Sequence, residues 1–265
     1  MYNFLIDSHC HLTTLEEEKN MKAEDVVKNA QDNGIKIINN IATSEDEFER
    51  VLQTSKRFDN VYASIGVHPS NIGRDFCKLD KLIEYSKSEK VIGIGETGFE
   101  YFCEPIVDKN KQKKNLEIHI EACRKTNLPL IIHTRNADED MIDILKSEMK
   151  NGEFKFLLHC FSSGKELCWT ALDLGGFISL SGIVTFKNAN DLRNIIRDIP
   201  LNKIMLETDS PFLAPAPFRG KINEPAYVKN IVEYLVDFLK KDFNIIQENT
   251  TRNFFSLFSK AKLIN

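Results

Sequence analysis

Residues 91–98, VIGIGETG, carry the pattern on which the fold rests. Val91, Ile92 and Ile94 form a short apolar, β-branched run of strand character that ends on a carboxylate, Glu96, flanked by Gly95 and Gly98. Glycine at such a place allows a ligand to approach the backbone closely, or the chain to leave the strand sharply. Runs of this kind, each followed by an amphipathic stretch, recur roughly every 25 to 35 residues. They are Phe4–Asp7, Ile35–Ile41, Val61–Val67, Val91–Glu96, Leu130–His133, Phe156–His159, Phe177–Leu180 and Ile204–Glu207. This alternation predicts an α/β fold, either a (β/α)8 barrel or a doubly wound open sheet.

The polar residues separate the two. Asp7, His9, His11, His68, Glu96, His133, His159 and Asp209 all sit at the C-terminal ends of the runs. In a barrel those ends converge on one face, whereas in an open sheet they spread along an edge. The expectation is therefore a (β/α)8 TIM-type barrel with its site at the C-terminal ends of the strands, residues 1–265 forming one domain. The last long helix should start near Asn223–Pro225, with an apolar stripe of Tyr227, Ile231, Leu235 and Phe238.

Composition bounds the function. Lys and Arg total 35 against 39 Asp and Glu, a net charge of −4, with 42% hydrophobic and 28% charged residues, as in ordinary globular proteins. No apolar run approaches the roughly 18 residues of a membrane helix. The opening MYNFLID has neither a basic segment nor a long apolar stretch, so no export signal is expected. Six cysteines (Cys10, Cys77, Cys103, Cys123, Cys160, Cys168) show no CxxC pair, which fits reduced thiols and a cytoplasmic protein. The slight acidity leaves no broad basic surface for gripping duplex DNA by counterion release. A nucleic acid would have to be held locally, by an end or through a metal.

The site candidates are metal ligands. Of the six histidines, His9, His11, His68, His133 and His159 follow predicted strands, while His119 lies inside a helix and reads as a surface or packing residue. His9 and His11 are spaced to project from one face of a strand towards a single ion. Asp7 lies on the same face and could orient a ligand. Glu96 has two oxygens and could bridge two ions. His133 and His159 close very apolar runs at equivalent positions, and Asp209 could serve as both ligand and proton acceptor. His68 is expected to touch substrate or a bound anion. Alternation turns Cys10 and Cys160 to the opposite face, where they pack. Four histidines with Glu96 and Asp209 exceed what one tetrahedral ion needs, which suggests two divalent ions sharing Glu96. There is no GxSxG for a serine hydrolase, and neither a GxGxxG dinucleotide-binding motif nor a P-loop is expected. No organic cofactor is implied.

The ordered segments IDSHCHL, SIGVHP, GIGETGFEYF, PLIIHTRNA, LLHCFSSG, SLSGIVTFKNA, LETDSPFLAP and RGKINEPAYV resemble the motif set of the TatD family of metal-dependent deoxyribonucleases, from Ile6 to about Phe258. The resemblance implies a TIM-type barrel of the metallo-dependent hydrolase superfamily that cleaves DNA, typically single-stranded, from the 3′ end. It implies one metal at His9, His11, Glu96 and Asp209 and a second at Glu96, His133 and His159. His68 and Arg219 would lie near the scissile phosphate. Phe99 and Glu100 stand where the family usually has Leu and Asp, and Phe218 and Ile222 where His and a basic residue are frequent. The expected enzyme is a monomeric two-metal (Mg, Mn or Zn) 3′–5′ exonuclease acting on single-stranded DNA ends, in which Glu96 and Asp209 carry catalysis. Two rival readings are an ester or amide hydrolase such as a D-aminoacyl-tRNA deacylase, and a catalytically silent barrel.

Overall fold

The structure, a computed structural model, describes residues 2–73 and 76–263. Its first half runs β1 (Leu5–Cys10), α1 (Leu12–Lys19), α2 (Ala23–Asp32), β2 (Ile35–Ile41), α3 (Phe48–Lys56), β3 (Val61–Ile65), α4 (Leu79–Ser86), β4 (Val91–Glu100) and α5 (Lys109–Thr126). The second half runs β5 (Leu130–Arg135), α6 (Asp138–Asn151), β6 (Phe156–Leu158), α7 (Lys165–Asp173), β7 (Phe177–Leu180), α8 (Asn190–Ile196), β8 (Ile204–Leu206), α9 (Val228–Leu239) and α10 (Phe243–Leu257). The eight strands lie in sequence order and each pairs in parallel with the next. Beyond the end of β8 the chain returns to β1: the Asp209 N–H donates to the His9 carbonyl at 2.9 Å and the His11 N–H to the Ser210 carbonyl at 2.8 Å. The sheet is thus a nearly closed barrel, the architecture expected from the alternation.

Two apolar layers hold it. One lies between strands and helices and includes Ile38, Ile65, Ile94, Leu116, Ile120, Leu145 and Leu235. The other fills the barrel with Ile6, Ile37, Ile92, Ile131, Leu157 and Met205, capped by Phe254, Leu257 and Phe258 of α10 and the residue after it. Burying a side chain of this size stabilises by about 1.5–3 kcal/mol. Helix α10 crosses the N-terminal ends of the strands, where Thr251 Oγ1 donates to the Phe4 carbonyl at 2.9 Å and Asn253 Nδ2 to the Ile204 carbonyl at 2.7 Å. One barrel end is therefore sealed by apolar packing, and the other is left for chemistry. Among the described residues no helix is long and apolar enough to cross a membrane.

The C-terminal helices differ from the expectation. Helix α9 begins at Val228, after a 3-10 turn at Pro225–Tyr227, and α10 follows it as another long helix. Asn223 does not cap a helix. It is fully buried, and its Nδ2 donates to the carbonyls of Thr208, at 2.8 Å, and Phe212, at 2.5 Å. It thereby clamps the loop that carries Asp209.

Candidate metal centre

Two irregularities in the strands aim the site. Between β4 and β5 the register steps from Ile94↔Leu130 to Thr97↔Ile132, so β4 contains one extra residue around Gly95 and Glu96. Such a bulge re-aims a side chain, and Glu96 is left only 4% exposed among imidazoles. Glycine is required there. Gly95 has φ +129°, and a Cβ on it would lie 2.5 Å from the Ile131 carbonyl oxygen. Gly93, Gly95 and Gly98 do have the spacing of a dinucleotide fingerprint, contrary to the expectation that none is present. They lie inside a strand, however, and no helix N-terminus follows to receive a pyrophosphate. In β1 the register shifts similarly between Asp7 and Cys10. His11 has left the strand and occupies the residue before α1, so it reaches His9's neighbourhood through a backbone turn rather than by strand alternation.

The ring nitrogens and carboxylates converge. His11 Nε2 lies 3.4 Å and His9 Nε2 3.7 Å from Asp209 Oδ1. His9 Nε2 is 3.1 Å and His159 Nε2 2.9 Å from Glu96 Oε2, while His133 Nδ1 is 3.3 Å from His159 Nε2. The trios His9–His11–Asp209 and Glu96–His133–His159 each present one ligand atom per residue within a 4.8 Å span. The rings of His9 and His159 stack at 3.9 Å. Despite these short separations, His9 Nδ1, His9 Nε2 and Glu96 Oε2 are buried without an aligned hydrogen-bond partner. Leaving such groups unsatisfied costs about 1–3 kcal/mol each, more when charged.

The outer nitrogens show what the inner ones offer. His159 Nδ1 faces Glu207 Oε1 at 3.3 Å, and His133 Nε2 faces Glu100 Oε2 at 3.0 Å. A carboxylate opposite a ring nitrogen places the proton on that nitrogen, which leaves a lone pair on the other. His159 Nε2 and His133 Nδ1 then point lone pairs at each other and towards Glu96. Two lone pairs and a carboxylate oxygen meeting in a dry space fit a cation, and the carboxylate behind each imidazole is the arrangement that orients metal-binding histidines. Imidazole and carboxylate donors suit a divalent transition ion. Without a cation the imidazoles and carboxylates offset one another's charge. Burial alone would raise the Glu96 and Asp209 carboxyls, but the surrounding imidazoles hold both below their ordinary values. Burial lowers His159, yet Glu96 and Glu207 bring it well above the usual range, so without a cation Nε2 also carries a proton, which a bound metal ion would displace.

Glu207 and Glu100 were not assigned roles from the sequence. Glu207 is fully buried and also accepts a hydrogen bond from Ser179 Oγ. Its signal was a carboxylate closing the eighth run, as Glu96 closes the fourth. Glu100 Oε1 accepts from the backbone N–H groups of Phe102 and Cys103, which fixes its other oxygen on His133. Asp7 touches no imidazole. Its carboxyl, raised well above the ordinary value by burial, accepts from the N–H groups of His9 and Thr208 and so ties together the backbones that carry His9 and Asp209. His68 lies at the rim, with Nε2 3.9 Å from Glu96 Oε1 and its ring 4.3 Å from that of His133. Burial and the neighbouring His133 push it down to about 3.

Arg219 is the expected site residue that the structure does not bring to the cluster. It is exposed, with its guanidinium 3.6 Å above the Phe186 ring. Cys160 also departs from expectation. Its φ of +44° breaks strand alternation, so it lines the pocket beside His159 and Asp209, whereas Cys10 packs in the core as expected.

Comparison with known proteins agrees with the fold and with a metal-dependent hydrolase. The model of the family described as TatD related DNase matches residues 6–259. The chain is 40% identical to the uncharacterized metal-dependent hydrolase YcfH of Escherichia coli strain K12, over 96% of each chain. It is 34% identical to the uncharacterized metal-dependent hydrolase YabD of Bacillus subtilis, over 96% of this chain and 98% of that one. The crystal structure of the TatD homolog YJJV from Escherichia coli superposes with a TM-score of 0.85 at 24% identity, over 96% of this chain and 98% of that one. A TatD-family hydrolase structure from Entamoeba histolytica gives 0.83 at 20%, over 98% and 100%. With a family match over nearly its whole length, this chain belongs to the TatD-related DNase family.

Proposed function

We propose that this TatD-family metal-dependent hydrolase cleaves phosphodiester bonds of DNA, removing nucleotides from the 3′ end of single strands. The observation that carries the reading is the buried convergence of unsatisfied His9 and Glu96 atoms with those of His11, His133, His159 and Asp209 beneath a pocket of about 190 Å3. His9, His11, Glu96 and Asp209 would hold one divalent ion, and Glu96, His133 and His159 a second, with Glu96 contributing an oxygen to each. Such ions, whether Mg, Mn or Zn, lower the pKa of a water and offset charge on phosphoryl oxygens.

The chain supplies the rest. Asp209 stays ionised because the His11 hydrogen bond and the nearby imidazoles outweigh its burial, so it can accept a proton at Oδ1. His68 stays neutral at the rim and can hydrogen-bond a phosphoryl oxygen without adding charge. Asn223 and Asp7 fix the backbone on either side of Asp209. Net charge of −4 suits an enzyme that engages a strand locally rather than along its length.

The test is degradation of a 5′-labelled single-stranded oligonucleotide by chelated and then metal-restored protein, beside Glu96→Ala. The expected result is a ladder shortening from the 3′ end that needs added Mg or Mn, with the variant slower by at least about 100-fold and depleted at both metal positions. Cleavage of a D-aminoacyl-tRNA with none of DNA would move the assignment to the ester hydrolase. Full metal occupancy in Glu96→Ala would remove the bridging role.

A further inference from the structure

The pocket over the cluster adjoins a larger trough of about 780 Å3, and the two share Phe102, Thr134, Arg135, Ser162, Ile183 and Leu213 as lining. Charge is not uniform along the trough. The shared end carries one charge, Arg135, whose guanidinium lies 4.9 Å from the Phe102 ring centroid. Away from the pocket, Asp138, Glu139, Asp140 and Asp191 line the trough with one ammonium, Lys109, and the Arg219 guanidinium stacks on Phe186 of the lining. Two of these carboxylates are engaged. Asp138 accepts from the Gly164 N–H at 2.7 Å, and Asp140 accepts from the Tyr101 hydroxyl at 2.7 Å with Lys109 Nζ at 3.8 Å. Glu139 and Asp191 are exposed and have no ion-pair partner among the described residues.

A DNA backbone continuing into that end would bring phosphates towards two carboxylates that are not paired with a cation. A base would meet no such penalty. Phe102 is 59% exposed at the junction of pocket and trough, with Tyr101 and Phe186 further along, and aromatic faces of this kind stack unpaired bases. We propose that the trough is the subsite of the terminal nucleoside of a strand, with its 5′-phosphate towards the imidazole cluster, its base on Phe102 and its free 3′-hydroxyl towards Glu139 and Asp191. The inference rests on the nuclease reading and deepens it. The two carboxylates act as specificity determinants: they disfavour a strand that continues past the site or ends in a phosphate, and so confine cutting to the last nucleotide.

Calorimetric titration of the Mn-loaded protein with 2′-deoxyadenosine 5′-monophosphate and with 2′-deoxyadenosine 3′,5′-bisphosphate tests this directly. At low salt the monophosphate should bind about five- to tenfold more tightly, the preference shrinking as salt screens the carboxylates. Glu139→Gln combined with Asp191→Asn should bring the two ligands within about twofold. Phe102→Ala should weaken the monophosphate by about tenfold, the scale of a lost base stack, and leave binding of inorganic phosphate as it was. Equal or tighter binding of the bisphosphate by the unaltered chain overturns the proposal, as does a preference that the double substitution leaves in place, or a Mn-loaded protein that binds neither nucleotide. A protein that prefers the monophosphate yet cleaves no DNA would keep the subsite and end the nuclease reading. In the nuclease assay, the double variant should gain cleavage of circular single-stranded DNA.

Discussion

Two buried groups of histidine lie in this barrel, and they are finished in opposite ways. His119, on α5, is fully buried, yet both its ring nitrogens are satisfied: Nδ1 faces the Asn115 carbonyl at 2.7 Å and Nε2 accepts from the Val67 N–H at 3.1 Å. His9, also fully buried, has neither nitrogen paired, and the atoms closest to it are a carboxylate and another imidazole. Burial alone does not separate a packing histidine from a ligand. What separates them is whether the chain itself supplies the partner. The fold completes His119 and leaves His9 without partners of its own.

The comparison breaks most visibly at His119 under acid. Its pair of bonds needs the neutral ring, and burial pushes its pKa from 6.5 down to about 4. Above pH 6.5 the ring is neutral in both folded and unfolded chains and the folded form loses nothing. As pH falls from 6.5 towards 4, only the unfolded chain takes up the proton, so stability drops by up to about 3 kcal/mol. Denaturant titrations across that range should show the fall, and His119→Gln should flatten it. An unchanged pH slope in the variant would assign the effect elsewhere.

Metal removal tests the other group. With free metal about a hundredfold above its Kd, binding to the folded state alone contributes about 2.7 kcal/mol, so chelation should lower Tm by roughly 5–10 °C at this chain length. Should chelation leave Tm unmoved, the cluster would belong with His119 as a self-sufficient polar core. The smallest expected effect is at Glu207. Glu207→Gln keeps the shape but weakens the hold on the His159 Nδ1 proton, and metal affinity measured by competition with a chelator should fall about 10- to 100-fold. An unchanged affinity would make Glu207 a partner of Ser179 only.

Legibility in the sequence followed the regularity of the backbone. His9, His133, His159 and Glu96 close apolar runs, so each could be placed at a strand end from pattern alone. Where the backbone leaves regular geometry, the pattern misled. His11 reaches Asp209 from the turn before α1, Cys160 enters the pocket because of its positive φ, and Asn223 clamps two carbonyls instead of starting a helix. The spacing of Gly93, Gly95 and Gly98 matches a nucleotide-binding motif only until the strand around it is known. Glu207 went unassigned because its role depends on His159, 48 residues away in sequence and 3.3 Å away in space.

The chain's order of residues by itself determined the alternation of strands and helices, the barrel and the end at which polar groups gather, because hydrophobic period and strand-end chemistry are local properties. Tertiary structure alone decided which nitrogen of each imidazole faces inward, that a bulge turns Glu96 into the cluster and that Arg219 stays with Phe186 outside it. These depend on distances between strands that are remote in sequence. A hydrogen bond or a lone pair is set by its partner's position, and no pattern within one segment contains that.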